Sequence, residues 1–238
     1  MKAMIFAAGL GTRFKPWTDL HPKALAIVNN KSLLQRNVEY LQRNGISDII
    51  LNVHHFADQV IDAIQTNKGW GSHIVISDEQ EALLETGGGL LKAKYFFHQN
   101  EPFLIINADI LTDLSIPKML AYHQQNNALI TLATSSRLSS RNLLFNTSNR
   151  LCGWENRTTG EQKIVIPNQQ LQAMAYNCVG IFEPNVFELI TQRGKFSLTD
   201  TYLSLAADYP ILAYRQDNGN FIDVGKPESV TIAEMMFP

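Results

Sequence analysis

The sequence predicts an α/β fold: a mixed, mostly parallel sheet flanked by helices as an α/β/α sandwich, with a small β lobe inserted. Three observations predict it. Short apolar runs of strand length alternate with helical stretches up to about residue 134, the pattern of an open sheet with helices on both faces. The first run, Ala3-Met4-Ile5-Phe6-Ala7-Ala8, is apolar throughout and ends at Gly9, as expected of a strand covered on both sides. Between residues 135 and 172 the alternation gives way to a polar stretch rich in Ser, Asn, Arg, Thr and Gln, and order returns after it.

The elements follow in order. Residues 32–44 carry Leu34, Val38 and Leu41 at i, i+4 and i+7, with Gly45 as a stop, which predicts a helix with one apolar face. Residues 48–53 (DIILNV) read as the next strand, and Val60, Ile61 and Ile64 mark a second helix. Residues 73–76, 103–106 and 128–134 read as further strands. The polar stretch is expected to form hairpins. Residues 174–182 resume as strand, helical patterns lie near 184–192 and 198–207, and 211–214 and 221–223 are short strands. A last helix starts near Glu228. Ser197 with Asp200 fits a capping box.

Composition bounds the function. A chain of 238 residues with 45% apolar and 18% charged residues can bury a full core and reads as one domain over 1–238. The net charge of −2 gives no reason to expect a nucleic-acid surface. Cys152 and Cys178 form no CxxC pair, which argues against a disulfide framework or a cysteine zinc site. The N-terminal apolar run is too short for a signal peptide, and no stretch reaches the roughly 18–20 apolar residues of a membrane span. A cytoplasmic protein, monomeric or homodimeric and without a membrane partner, is expected. No hexapeptide-repeat extension is seen, which argues against an acyltransferase arm. His54 and His55 lack metal-ligand spacing and are expected to pack or face solvent, and Cys178 is expected to be a small core residue.

In open α/β sheets ligands bind beyond the carboxyl ends of the strands. The first strand ends in Ala7-Ala8-Gly9-Leu10-Gly11-Thr12-Arg13. Phe14 breaks the dinucleotide pattern G-x-G-x-x-G, and no G-K-[ST] follows. Two close glycines still bring backbone N–H groups up to an anion, Thr12 adds a hydroxyl, and Arg13 adds a planar fork for phosphate oxygens. His21-Pro22-Lys23 follows on the same loop. Pro22 holds the backbone extended, so Arg13 and Lys23 can both face a polyphosphate.

With Gly9-Leu10-Gly11-Thr12-Arg13 followed by Pro22-Lys23, the sequence resembles the sugar-1-phosphate nucleotidyltransferases, which have a Rossmann-like, GT-A-like fold. Within them it resembles most the short bacterial members that act on N-acetylmuramate 1-phosphate with UTP and carry an E-T-G-G-G run, here Glu85-Thr86-Gly87-Gly88-Gly89. The resemblance implies a nucleotide-binding half over about 1–134 and a sugar-binding half over about 135–238. It implies that Ala8, Gly9, Gly11 and Thr12 cradle the triphosphate. Glu79 or Glu81, Thr86, and Gly87 or Gly88 would lie near the base, in a loop before a helix from about Leu90. Arg13 and Lys23 become the catalytic cations. Asn107-Ala108-Asp109 and Phe221-Ile222-Asp223-Val224-Gly225-Lys226-Pro227 match two further family runs, whose aspartates, here Asp109 and Asp223, hold Mg²⁺. Phe221 stands where Trp is usual and Lys226 where Thr or Ser is usual.

The sugar side matches less well. Asn107, Glu155 and Gly180 are the implied sugar-binding residues. The family's E-K-P run, with Glu on the sugar and Lys on its phosphate, is here Glu155-Asn156-Arg157. That leaves Arg157 or Lys163 to supply the charge. The implied reaction is Mg²⁺-dependent transfer from a nucleoside triphosphate to a sugar 1-phosphate, giving pyrophosphate and a nucleotide sugar for cell-wall recycling or a surface polysaccharide. Alternatives are GTP with mannose 1-phosphate or a heptose 1-phosphate, and a catalytically silent nucleotide-sugar-binding regulator. A third glycine is missing for a nicotinamide enzyme.

Overall fold

The computed structural model describes residues 1–97 and 100–238. β1 (Ala3–Phe6) leads into a loop with short 3₁₀ turns at Thr12–Phe14, Trp17–Asp19 and Lys23–Leu25. A small hairpin, β2 (Ile27–Val28) and β3 (Lys31–Ser32), precedes α1 (Leu33–Arg43). β4 (Asp48–Val53), α2 (Ala57–Thr66), β5 (His73–Asp78), α3 (Glu85–Lys92) and β6 (Phe103–Asn107) complete the alternating part. β7 (Ile110–Thr112), α4 (Ile116–Gln125) and β8 (Ile130–Ser135) follow. The polar stretch forms β9 (Arg141–Phe145), β10 (Leu151–Asn156) and β11 (Glu161–Ile164). The chain closes with β12 (Gln172–Phe182), α5 (Val186–Leu189), α6 (Leu198–Leu205), β13 (Ile211–Arg215), β14 (Phe221–Asp223) and α7 (Glu228–Met236).

The main sheet runs β11-β10-β9-β12-β6-β1-β4-β5, with β8 beside β12 and β13 beside β8. Its centre is parallel: β1 lies between β6 and β4, with Ile5 opposite both Ile106 and Leu51. β12 is the antiparallel splice. Its second half pairs β6 and β8, and residues 172–174 pair β9. The polar stretch is therefore an antiparallel meander that extends the main sheet. Strand β12 bulges midway: Tyr176 faces Thr134 and Gly180 faces Leu132, so three residues oppose one. Cys178, within the bulge, has φ +55°.

The unbroken apolar run of β1 is explained by its two faces. Met4 and Phe6 enter one apolar layer, with Leu90 of α3 and Tyr202 of α6. Ala3 and Ile5 enter the other, with Leu34, Val38 and Leu41 of α1. α1 is capped by the Ser32 hydroxyl, which accepts from the Gln35 N–H at 3.1 Å. The Ser197 hydroxyl caps α6, accepting from the Thr199 N–H at 3.1 Å. A third, smaller cluster, built around Phe14, Leu33, Leu111 and Val224, lies between the first loop and the C-terminal segment. The helix expected over 184–192 is confined to Val186–Leu189. Ile190, extended but buried, turns the chain toward the segment that covers α3. Among the described residues no helix is long and apolar enough to cross a membrane.

His123 of α4 is fully buried. Its Nε2 lies 3.2 Å from a Glu183 carboxylate oxygen and its Nδ1 2.8 Å from the Thr131 hydroxyl. A neutral ring that donates at Nε2 and accepts at Nδ1 satisfies both partners. Burial lowers its pKa from 6.5 to about 4. A depressed histidine stabilises the fold fully above its unfolded pKa, and that contribution is lost as pH falls. The Tm is therefore expected to drop between pH 6.5 and about 4, by a contribution on the order of 3 kcal/mol at the lower end. His123→Gln should flatten the profile in that window; an equally steep profile in the variant would contradict the assignment.

Candidate active site

The loop after β1 is shaped by one glycine and one aromatic anchor. Gly11 has φ +62°, and a Cβ there would lie 2.9 Å from Thr18 Cγ2. The Thr18 hydroxyl donates to the Gly11 carbonyl at 2.9 Å. Phe14 is buried in the small third cluster, which leaves Arg13 directed outward with its side chain 64% exposed. Pro22 is extended before the Lys23–Leu25 turn, and Ala24 is buried. The Lys23 ammonium, only 12% exposed, pairs with the Asp109 carboxylate.

Asp109 follows β6, where the Ala108 N–H donates to the Phe6 carbonyl at 2.9 Å. The buried Asn37 amide donates to the Ala108 carbonyl at 2.9 Å. β14 then pairs antiparallel with β7, setting Asp223 opposite Ile110, and the Val224 N–H donates to the Asp109 carbonyl at 2.9 Å. Two aspartates more than a hundred residues apart are thereby made neighbours. Arg13 Nη2 lies 3.9 Å from Asp223 Oδ2, while Asp223 Oδ1 is buried without a hydrogen-bond partner among the described residues. Burial raises the Asp223 pKa, the Asp109 charge raises it further, and Lys23, Arg13 and Arg137 pull the other way.

These groups surround a cleft of about 240 Å³. Gly9, Gly11, Thr12, Arg13 and Lys23 line it from the first loop. Thr86, Asn107 and Asp109 line it from α3 and β6, and Gly225, next to Asp223, completes it. Nine of the expected residues are thus brought to one place at the carboxyl ends of β1 and β6. The Asp109–Asp223 pair fits a hard divalent cation, which takes one or two carboxylates plus phosphate oxygens and water. The unpartnered Asp223 oxygen supports that fit.

Several expectations need correction. Ala8 is buried behind the loop and does not line the cleft. The glycine run is the first part of α3 and not a loop before Leu90. Gly87 and Gly88 are buried, and their N–H groups donate to the Phe196 carbonyl at 2.9 and 3.3 Å. A Cβ on Gly87 would sit 2.3 Å from the Phe196 ring, and one on Gly88 2.2 Å from the Gly194 carbonyl oxygen. These glycines let two segments touch. Glu79, 1% exposed, turns inward: it accepts from the Asn52 amide at 2.8 Å and from the Leu84 N–H at 3.2 Å. Asn52 in turn accepts from the Ala7 N–H at 2.8 Å. Glu81, by contrast, is exposed.

On the sugar side, the space a Gly180 side chain would take is filled by Phe182, Leu132 and Tyr176, so Gly180 serves packing. Glu155 lies on β10 and accepts from the Asn142 amide at 3.0 Å, away from the cleft lining. Lys163 is on the edge strand β11, 3.6 Å from Glu161 and over the Trp154 ring. Arg157 sits in the exposed turn after β10. Cys178 is half-buried and packs on the core as expected, yet burial and the Asp109 and Asp223 charges push its thiol up to about 12. His54 Nδ1 meets the Glu79 carbonyl at 2.7 Å, and the His55 ring lies on Phe56.

Residues not singled out from sequence also shape the site: Asn52, Asn37 and Arg137. Asn52 and Asn37 each sit among apolar residues of a strand or helix, and a buried polar side chain there was the available signal.

Residues 2–142 match the family described as Nucleotidyl transferase. A mannose-1-phosphate guanyltransferase of Yarrowia lipolytica is 26% identical over 229 residues, 96% of this chain and 61% of that protein. An N-acetylmuramate alpha-1-phosphate uridylyltransferase of Neisseria meningitidis is 39% identical over 114 residues, 48% of this chain and 49% of that protein. The chain thus spans less than two thirds of these relatives' lengths. The fold is shared with a putative glucose-1-phosphate thymidylyltransferase of Bacillus anthracis at a TM-score of 0.79 and 17% identity, covering 99% of this chain and 94% of that one.

The glycine contacts predict unequal costs. Gly88→Ala should destabilise the chain by about 2 kcal/mol or more, because backbone must move. Gly9→Ala, with nothing within 4 Å of its added Cβ, should stay within about 0.5 kcal/mol of the parent. Urea unfolding of both variants checks this, and equal losses would contradict it.

Proposed function

The chain belongs to the nucleotidyl transferase family, and from that premise we propose that it transfers a nucleotidyl group from a nucleoside triphosphate to a sugar 1-phosphate. UTP and N-acetylmuramate 1-phosphate are the proposed pair. The observation that carries this reading is the convergence of two ion pairs, Lys23 with Asp109 and Arg13 with Asp223, on one cleft at the carboxyl end of the sheet.

An oxygen of the sugar phosphate attacks the α-phosphorus of the bound triphosphate. The new P–O bond forms as the bond to the bridging oxygen breaks, and pyrophosphate leaves with that electron pair. The attacking phosphate is already anionic near neutral pH, so the chain needs no general base. Its task is positioning and charge neutralisation. The N–H groups around Gly9 and Gly11, with the Thr12 hydroxyl, grip phosphate oxygens. Arg13 steadies the outer phosphates and Lys23 the transferred group. Asp109 and Asp223 would hold Mg²⁺, which when bound supplies further neutralisation of phosphate charge. Asn107, lining the same cleft, faces the acceptor side.

A second reading has its own support. The guanyltransferase relative aligns over 96% of this chain, whereas the uridylyltransferase relative aligns over 48%, which favours GTP with mannose 1-phosphate or a similar sugar. A silent binding module is disfavoured, because binding alone needs no paired carboxylates beside two cations.

Pyrophosphate release with Mg²⁺ across the four ribonucleoside triphosphates and dTTP, against a panel of sugar 1-phosphates, tests the class and the pair together. Release with UTP and N-acetylmuramate 1-phosphate is expected. Release only with GTP would move the pair, and no release with any pair would overturn the activity. Lys23→Ala and Asp223→Asn should each lower kcat by about 10²–10³ while the far-UV circular dichroism stays that of the folded parent. Near-normal turnover in both would contradict the mechanism.

A further inference from the structure

Two phosphorylated substrates must meet at one phosphorus atom, and the cations described so far serve only one of them. Arg13 and Lys23 both come from the loop after β1, and each already faces an aspartate. The charged groups that bear on Asp223 are Asp109, Lys23, Arg13 and Arg137. Only Arg137 comes from the second half of the chain, two residues beyond the end of β8.

Arg137 is exposed, yet its guanidinium is held in place. Its Nε donates to the Asn177 side-chain oxygen at 3.2 Å, and its Nη2 donates to the Tyr176 carbonyl at 2.8 Å. The guanidinium lies over the Phe221 ring, 4.9 Å from its centre, and Phe221 is two residues before Asp223 on β14. Among the described residues no carboxylate pairs with Arg137. A guanidinium carries five N–H donors, so fixing it through Nε and one Nη2 proton leaves three in-plane donors along its edge for an oxyanion. Its anchor is buried and specific. Asn177 is fully buried, and its side-chain oxygen also accepts from the Ser135 hydroxyl at 3.0 Å. The Asn177 Nδ2 has no hydrogen-bond partner among the described residues. The bulge in β12 supplies both acceptors of Arg137, the Tyr176 carbonyl and the Asn177 side chain.

We propose that Arg137 binds the phosphate of the sugar 1-phosphate acceptor, with Asn177 as the residue that positions it. This rests on the transfer reaction proposed above. Arg13 and Lys23 then hold the triphosphate from one side of the aspartate pair, and Arg137 holds the attacking phosphate from the other. The stacking on Phe221 ties the acceptor cation to the strand that carries Asp223, so the two substrates are registered against one element. Arg157 and Lys163, which lie on the outer meander, take no part.

The test uses the full chain with Mg²⁺ and the substrate pair that turns over in the panel. Arg137→Ala is expected to raise KM for the sugar 1-phosphate about ten- to a hundredfold, with KM for the triphosphate within about twofold of the parent. Arg137→Lys should recover part of the loss, since it restores the charge without the fork. The Tm shift given by the triphosphate should be the same in parent and Arg137→Ala. Lys163→Ala should leave both KM values unchanged. An unchanged acceptor KM in Arg137→Ala, or an equal rise for both substrates, would overturn the assignment while the transfer reaction stands. Absence of transfer by the parent chain on every pair would overturn the reaction itself and this assignment with it.

Discussion

Two carboxylates held side by side repel, and the short pairing of β7 with β14 imposes that proximity on Asp109 and Asp223. Burial raises the Asp223 pKa, and the Asp109 charge raises it further. Three cations answer the repulsion from different parts of the chain: Lys23, Arg13 and Arg137. The apolar cluster of Phe14, Leu111 and Val224 fixes the pairing from beneath, because each of those residues adjoins a site residue or the strand that presents one. Packing energy thus holds an arrangement of charge that the charges alone would not adopt.

The other wall of the cleft is held by a close approach of backbone to backbone. α3 begins where Gly87 and Gly88 meet the 194–196 segment, and the Thr86 hydroxyl accepts from the Leu198 N–H at 3.0 Å. The buried relay from Ala7 through Asn52 and Glu79 to Leu84 then ties the phosphate loop to the start of the same helix. A fully satisfied buried polar relay of this kind is rigid and specific. The first loop and α3 are therefore coupled through side chains that touch no ligand.

This division explains what could be read from sequence. β1, α1 and β4 were legible because burial on one or two faces writes a period into the residues. Arg13, Lys23, Asp109 and Asp223 could be picked out because each lies in a recognisable run, the two cations on the loop after β1 and the two aspartates at or just beyond a strand end. The packing role of Gly87, Gly88 and Gly180 was not legible, because a glycine that makes room for a neighbour looks the same in sequence as one that makes room for a ligand, and only Phe196, Gly194 and Phe182 show the neighbour. Glu79 and Glu81 could not be told apart in sequence, because Asn52, the partner that turns Glu79 inward, lies on another strand. Arg137 carried no local signal: its place depends on a bulge at 177–179 and a ring at 221, both remote in sequence.

The central claim is that Asp109 and Asp223 act as one site for a cation delivered with a triphosphate. Water-proton relaxation during a titration with Mn²⁺, in the presence of UTP and separately of GTP, tests it directly. The account predicts a relaxation enhancement with the parent chain and the triphosphate it uses, lost equally in Asp109→Asn and Asp223→Asn. An enhancement that survives in either variant would contradict a shared site.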